Sequence, residues 1–99
     1  MAEPIYKMFA GRATEAWYAL DEREQNELLK QVGYALEAVG GRRVMSCDSS
    51  WANEAYQFFG IEEFPDLEAV QAFTRALVQL DWYRYMEGLS LLGTKWGGM

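Results

Sequence analysis

Two stretches of helical periodicity, each set between short apolar runs, constrain this chain more than any other feature. Leu28, Val32, Ala35, Leu36 and Val39 recur at spacings of four, three, one and three residues, which puts them on one face of a helix. Asp21 followed three residues later by Glu24 has the form of a capping box, with Leu20 at the hydrophobic position before it. Glu22 and Glu24 also suit the positive end of the helix dipole, and Gly40-Gly41 supplies the stop. The pattern predicts a helix over Glu22–Val39. Leu67, Val70, Phe73, Leu77 and Leu80 make a second apolar stripe behind Pro65 and a candidate N-cap, Asp66. That helix is expected to reach about Leu80, with Asp81 to Glu87 continuing it or forming a separate turn.

The flanking runs read as strands. Ile5 to Ala10 places Ile5, Lys7 and Phe9 on one face and Tyr6, Met8 and Ala10 on the other. Thr14 to Leu20 is a turn or a single helical turn. Arg42 to Asp48 is a second strand, Ser46 to Asn53 a mostly polar loop, and Glu54 to Phe64 a third strand rich in Tyr56, Phe58, Phe59 and Ile61. Gly88 is expected to break the chain before a fourth strand from Leu89 to Trp96. The order β-α-β-β-α-β is that of the ferredoxin-like split βαβ unit. The expected fold is α+β: one ferredoxin-like domain over residues 1–99, a four-stranded antiparallel sheet with two helices on one face, given right-handed connections. No helix remains for the other face, yet Ile5, Phe9, Phe58, Leu89 and Leu91 do not alternate with charges. An apolar patch of that size is unusual on a monomer, so a second copy is expected to cover it, pairing two sheets as a dimeric α+β barrel.

Composition removes several chemistries. The 99 residues contain no histidine and one cysteine. Triads, Cys-His dyads and His-ligated metal or haem are excluded, and acid–base work falls to Asp, Glu, Lys, Tyr or Cys. A lone Cys47 forms no internal disulfide, which fits a cytoplasmic location. No signal peptide and no membrane-spanning run is read from the sequence. Net charge is −6, and Arg42-Arg43 is the only adjacent basic pair, so no nucleic-acid partner is expected.

Trp17-Tyr18-Ala19-Leu20-Asp21-Glu22-Arg23, Gly40-Gly41, Trp82-Tyr83-Arg84-Tyr85-Met86-Glu87 and Gly93 together resemble small members of the dimeric α+β barrel superfamily. Such members commonly carry Gly before the Trp-Tyr pair, where this chain has Asp81. The resemblance covers most of the chain in topology and about a fifth in specific motifs. It implies a ferredoxin-like subunit that pairs through its sheet. The superfamily includes cofactor-independent monooxygenases, isomerases, haem enzymes and binding proteins, so the fold does not choose among them. Its haem branches hold iron through His, which this chain lacks, so no cofactor is expected.

Candidate ligand-binding residues are Tyr6, Trp17, Trp51, Asn53, Tyr56, Trp82, Arg84 and Tyr85. The aromatics, with Tyr18 and Tyr83, are of the type that lines an apolar pocket with a few polar tips. Core and dimer packing is the simpler account of any one of them. Trp17 and Trp82 precede element boundaries, where a large side chain closes the end of the sheet–helix layer. Arg84 either holds a ligand carboxylate or pairs with Glu87 one turn on. Trp51 and Asn53 match the monooxygenases in residue type only, and a loop cap is the plainer reading. A negative neighbour, Asp48, disfavours a nucleophilic role for Cys47, and a small buried side chain is the expected reading. Glu62 and Glu63 point to opposite faces of a strand and are read as strand-end solvation. Three functions follow: a homodimer binding a small apolar or aromatic molecule between sheet and helices, a cofactor-independent monooxygenase or isomerase, or a structural or regulatory dimer without a ligand.

Overall fold

The computed structural model describes residues 3–98. Its elements are β1 (Ile5–Ala13), α1 (Glu15–Tyr18), α2 (Glu22–Ala38), β2 (Arg42–Asp48), β3 (Phe58–Phe64), α3 (Leu67–Gln79), α4 (Trp82–Tyr85) and β4 (Met86–Gly93). The strands form one antiparallel sheet in the order β2-β3-β1-β4, the ferredoxin-like arrangement expected from the element order.

Local signals hold where they are chemically complete. Asp21 accepts from the Glu24 amide at 2.8 Å, while the Glu24 carboxylate accepts from the Asp21 amide at 3.0 Å. Asp66 caps α3 through the Ala69 amide at 2.8 Å. Each cap contributes about 1 kcal/mol. Gly40 takes φ +78°, a left-handed conformation that ends α2 with little penalty for glycine.

Several strand limits differ from expectation. β1 runs on to Ala13 because β4 pairs with it as far as Ala13↔Met86. Gly88 therefore lies inside β4, opposite Gly11, and breaks nothing. β4 stops at Gly93, where its register with Tyr6 ends, so Trp96 lies outside the strand. β3 begins at Phe58 rather than Glu54. Residues 54–57 belong to a loop held by Ser49 Oγ donating to the Tyr56 carbonyl at 2.9 Å and by the Gln57 amide donating to Gly11.

The core lies between the helices and the two central strands. Val32 and Leu36 of α2 and Ala69, Val70, Phe73 and Leu77 of α3 pack around Phe64 of β3, and Ile5 and Trp82 lie against them. Phe64 and Phe73 meet with ring centroids 5.6 Å apart. The strand register sorts the rest. Ile5, Lys7, Phe9, Phe58 and Glu62 share the helix side, and Met8, Met45, Phe59, Ile61, Leu89 and Leu91 share the other. An apolar second face is present, as expected, but Ile5, Phe9 and Phe58 are not part of it. Cys47 also lies on that outer side, half-buried rather than buried.

Candidate functional site

The helix side of the sheet does not close over its whole area. A cleft of about 300 Å³ opens beside the core, lined among others by Phe9, Phe58, Phe73, Trp82, Tyr83 and Ser90. Backbone geometry makes room for its floor. Gly60 lies opposite Phe9, and a Cβ there would sit 2.5 Å from the Phe9 ring and from the Met45 carbonyl oxygen. A side chain at residue 60 would push Phe9 out of place. Phe9 packs on Phe58 at a centroid distance of 6.2 Å, and α4 brings Trp82 and Tyr83 over the layer from the opposite side.

Charge is concentrated in this apolar setting. Lys7 of β1 and Glu62 of β3 are directly paired in register, and Arg43 of β2 is the next partner of Glu62. Three adjacent strands thus carry a lysine, a glutamate and an arginine across one row. Arg43 Nη2 donates to Glu62 Oε2 at 2.8 Å, and Lys7 Nζ stands 4.0 Å from Glu62 Oε1. The Glu62 side chain is 4% exposed and that of Lys7 9%, against 41% for Arg43. Lys7 Nζ also lies 5.3 Å from the centroid of the Phe73 ring, and the Arg43 guanidinium 5.6 Å from that of Phe9, within cation–π range.

Burial lowers the Lys7 pKa from its usual value; Glu62 opposes that shift and Arg43 adds to it. Burial, with the Glu62 charge second, raises the Tyr83 phenol. Tyr83 is therefore a hydrogen-bond donor over the physiological range.

The residues singled out in the sequence are dispersed. Trp82 lines the cleft. Tyr6 stands on the outer sheet face opposite Glu63, whose carboxylate favours the protonated phenol and raises its pKa. Trp17 is half-buried in α1, and Gln25 Nε2 donates to its carbonyl at 3.0 Å. Trp51 is 83% exposed and donates from Nε1 to the Asp48 carbonyl. Asn53 Oδ1 accepts from the amides of Ala55 and Tyr56 at 2.8 Å each, so its side chain shapes the loop. Tyr56 sits half-buried in the same loop. Tyr85 borders a shallow depression with Leu20, Leu28 and Leu80, away from the cleft.

Two readings need correction. Arg84 does not pair with Glu87: it lies 3.7 Å from Asp81, because α4 ends at Tyr85 and Glu87 enters β4 opposite Arg12, which it meets at 2.7 Å. Glu62 is not strand-end solvation but one of the most buried charged groups of the described residues. Lys7 was likewise absent from the candidates. The signal for both was parity: Lys7 sits between Ile5 and Phe9, and Glu62 between Gly60 and Phe64. Two opposite charges on inward positions of neighbouring strands mark a buried pair.

Comparison with solved structures places the fold. Chlorite dismutases from Candidatus Nitrospira defluvii superpose on this chain: a point mutant with TM-score 0.73 and 21% identity, a double mutant with 0.74 and 22%, and a complex with imidazole with 0.73 and 22%. Each alignment covers 95% of this chain but only 41% of the dismutase chain, so this chain spans less than half their length. The likeness shows the fold alone, a ferredoxin-like α+β unit. Comparison with curated proteins gives no match.

A haem does not fit the residues here. There is no histidine, and Cys47 lies on the sheet face away from the cleft. Among the described residues no cluster of three or more His, Cys, Asp or Glu side chains is placed to hold a metal ion. No helix among them is long and apolar enough to cross a membrane. With a match over residues 8–97, the chain belongs to the family of unknown function DUF6616.

Proposed function

We propose that this protein is a homodimeric binding protein whose ligand, a small aromatic or apolar molecule, occupies the cleft between sheet and helices. The cleft itself carries the reading: about 300 Å³ of open space walled by Phe9, Phe58, Phe73 and Trp82, with polar groups gathered at one place. That combination is the usual anatomy of a small-molecule site. It favours a ligand over a dimer with a filled interior.

The outer sheet face supports the dimer. Met45 is 55% exposed and Leu91 62%, and Phe59, Ile61 and Leu89 are exposed beside them. Contiguous apolar surface of this kind marks an interaction site, and an isologous contact covers it with one repeated patch. Sedimentation at micromolar concentration is expected to give about twice 11.4 kDa, and Ile61→Glu to give a monomer. A monomeric parent protein refutes the pairing.

The ligand reading is tested by tryptophan emission against a panel of bicyclic aromatic compounds. Ser90 lines the cleft from β4 at an exposed position, and Ser90→Phe fills space in it. Saturable quenching in the parent protein that is lost in Ser90→Phe is the expected result. Quenching unchanged by that substitution places the ligand elsewhere.

A further inference from the structure

The charged row in the cleft is unbalanced. Glu62 is the single carboxylate that faces two cations, and it spends its close contact on Arg43 at 2.8 Å. Lys7 is left at 4.0 Å, beyond hydrogen-bond reach, with its side chain nine-tenths buried. Glu87 does not restore the balance, since its carboxylate is held at 2.7 Å by Arg12, and both side chains sit on the outer parity of their strands, opposite to Gly11 and Gly88. An ammonium on a side chain this far removed from water, with its facing carboxylate 4.0 Å away, is poorly compensated. Lys7 lines the cleft, and the Phe73 ring takes one side of its Nζ at 5.3 Å. Arg43 engages Glu62 through Nη2 alone, which leaves guanidinium donors free at the same end. Tyr83 brings a phenol to the same cleft.

We propose that the cleft is built for a flat aromatic carboxylate, with the ring between Phe9, Phe58 and Trp82 and the carboxylate on Lys7 Nζ and the free Arg43 donors. This rests on the reading of the cleft as a ligand site and adds its charge selectivity. One ligand anion balances the excess cation, and charge-assisted hydrogen bonds at a poorly solvated site are the strong ones. The Tyr83 phenol is a further donor to a carboxylate oxygen. A neutral molecule of the same shape fills the aromatic part and leaves Lys7 uncompensated.

The test uses a matched pair, 2-naphthoate and 2-naphthylmethanol, titrated calorimetrically at pH 7 into the parent protein, Lys7→Met, Arg43→Gln and Ser90→Phe. Thermal melts establish that each variant is folded. In the parent protein the carboxylate is expected to bind at least tenfold more tightly than the alcohol. Lys7→Met is expected to abolish that preference and to leave the affinity for the alcohol within about threefold. Arg43→Gln, at a half-exposed position, is expected to reduce the preference in part. Equal affinity of the two compounds in the parent protein overturns the proposal while leaving the cleft as a binding site, as does a preference that survives in Lys7→Met. If neither compound binds, or both bind Ser90→Phe as well as the parent, the cleft reading falls and the charge selectivity with it. The comparison within the parent protein decides the matter even if Lys7→Met does not fold.

Discussion

Glu62→Gln removes the carboxylate that Lys7 and Arg43 share while keeping its shape. In the parent protein Arg43 holds Glu62 at 2.8 Å and Lys7 stands at 4.0 Å. Breaking a buried ion pair from one side costs about 3–5 kcal/mol, because the remaining charge stays uncompensated. Arg43 is 41% exposed and turns to water, so most of the cost falls on Lys7, whose side chain is 9% exposed. The low end, about 3 kcal/mol, is expected, which for a domain of this size lowers Tm by roughly 12–24 °C. Lys7→Met alone keeps the Arg43–Glu62 contact and removes a poorly compensated charge, so it should stay within about 1 kcal/mol of the parent. The double variant Lys7→Met/Glu62→Gln should recover at least about 1.5 kcal/mol of the sum of the single losses, by urea denaturation in a double-mutant cycle.

The same variant has a pH signature. Lys7 has a lowered pKa when folded, so between that value and the usual 10.5 the unfolded chain binds more protons than the folded one. Stability from this group therefore rises with pH in that window. Glu62 is the contact that raises the Lys7 pKa; without it the window widens downward. The deficit of Glu62→Gln should shrink as pH rises toward the usual lysine value of 10.5. Tyr83, raised from 10.0, acts in the opposite direction only above that value. A Glu62→Gln protein within about 0.5 kcal/mol of the parent, or a cycle without coupling, refutes the buried row as an energetic unit.

Other outcomes follow from single contacts. Phe73→Ala, at a side chain 1% exposed and stacked on Phe64, should cost about 3–5 kcal/mol in chemical denaturation. Asp81 adopts φ +60°, so Asp81→Val should cost about 1–3 kcal/mol by thermal melting while Asp81→Gly stays close to neutral. Glu63 is held below its usual 4.5 by Arg42 and then Tyr6, and Asp48 below its usual 3.8 by the Ser50 hydroxyl and amide. Their stabilisation is present above those values and lost as pH falls through the lowered ones. An acid titration followed by circular dichroism should therefore show a shallower loss in Glu63→Gln.

The helices were legible because their signals are local. Asp21, Glu24, Asp66 and Gly40 each complete a cap with groups within a few residues. Strand limits were less so: β1 reaches Ala13 and β4 starts at Met86 because each is the other's partner there, information held about seventy residues away. The position of Asp81, where the resembling sequences carry Gly, was the one local hint of a left-handed residue, and the backbone adopts that conformation. Of the aromatics read as pocket residues, Trp82 lines the cleft while the rest lie elsewhere, with Trp51, Asn53 and Tyr56 serving their own loop. Lys7 and Glu62 carry no local mark of burial, since the partner of each lies on another strand. Their inward parity on β1 and β3, with Arg43 next in the row on β2, carried the site.

The most direct measurement for the central claim is amide NMR mapping of the parent protein during titration with 2-naphthoate. The account predicts concerted, saturable shifts at Lys7, Phe9, Gly88 and Ser90 around the cleft, with Trp51 and Asn53 in their loop and Ile61 and Leu91 on the outer face unmoved. Shifts confined to the loop or to the outer face, with the cleft amides unchanged, would contradict it.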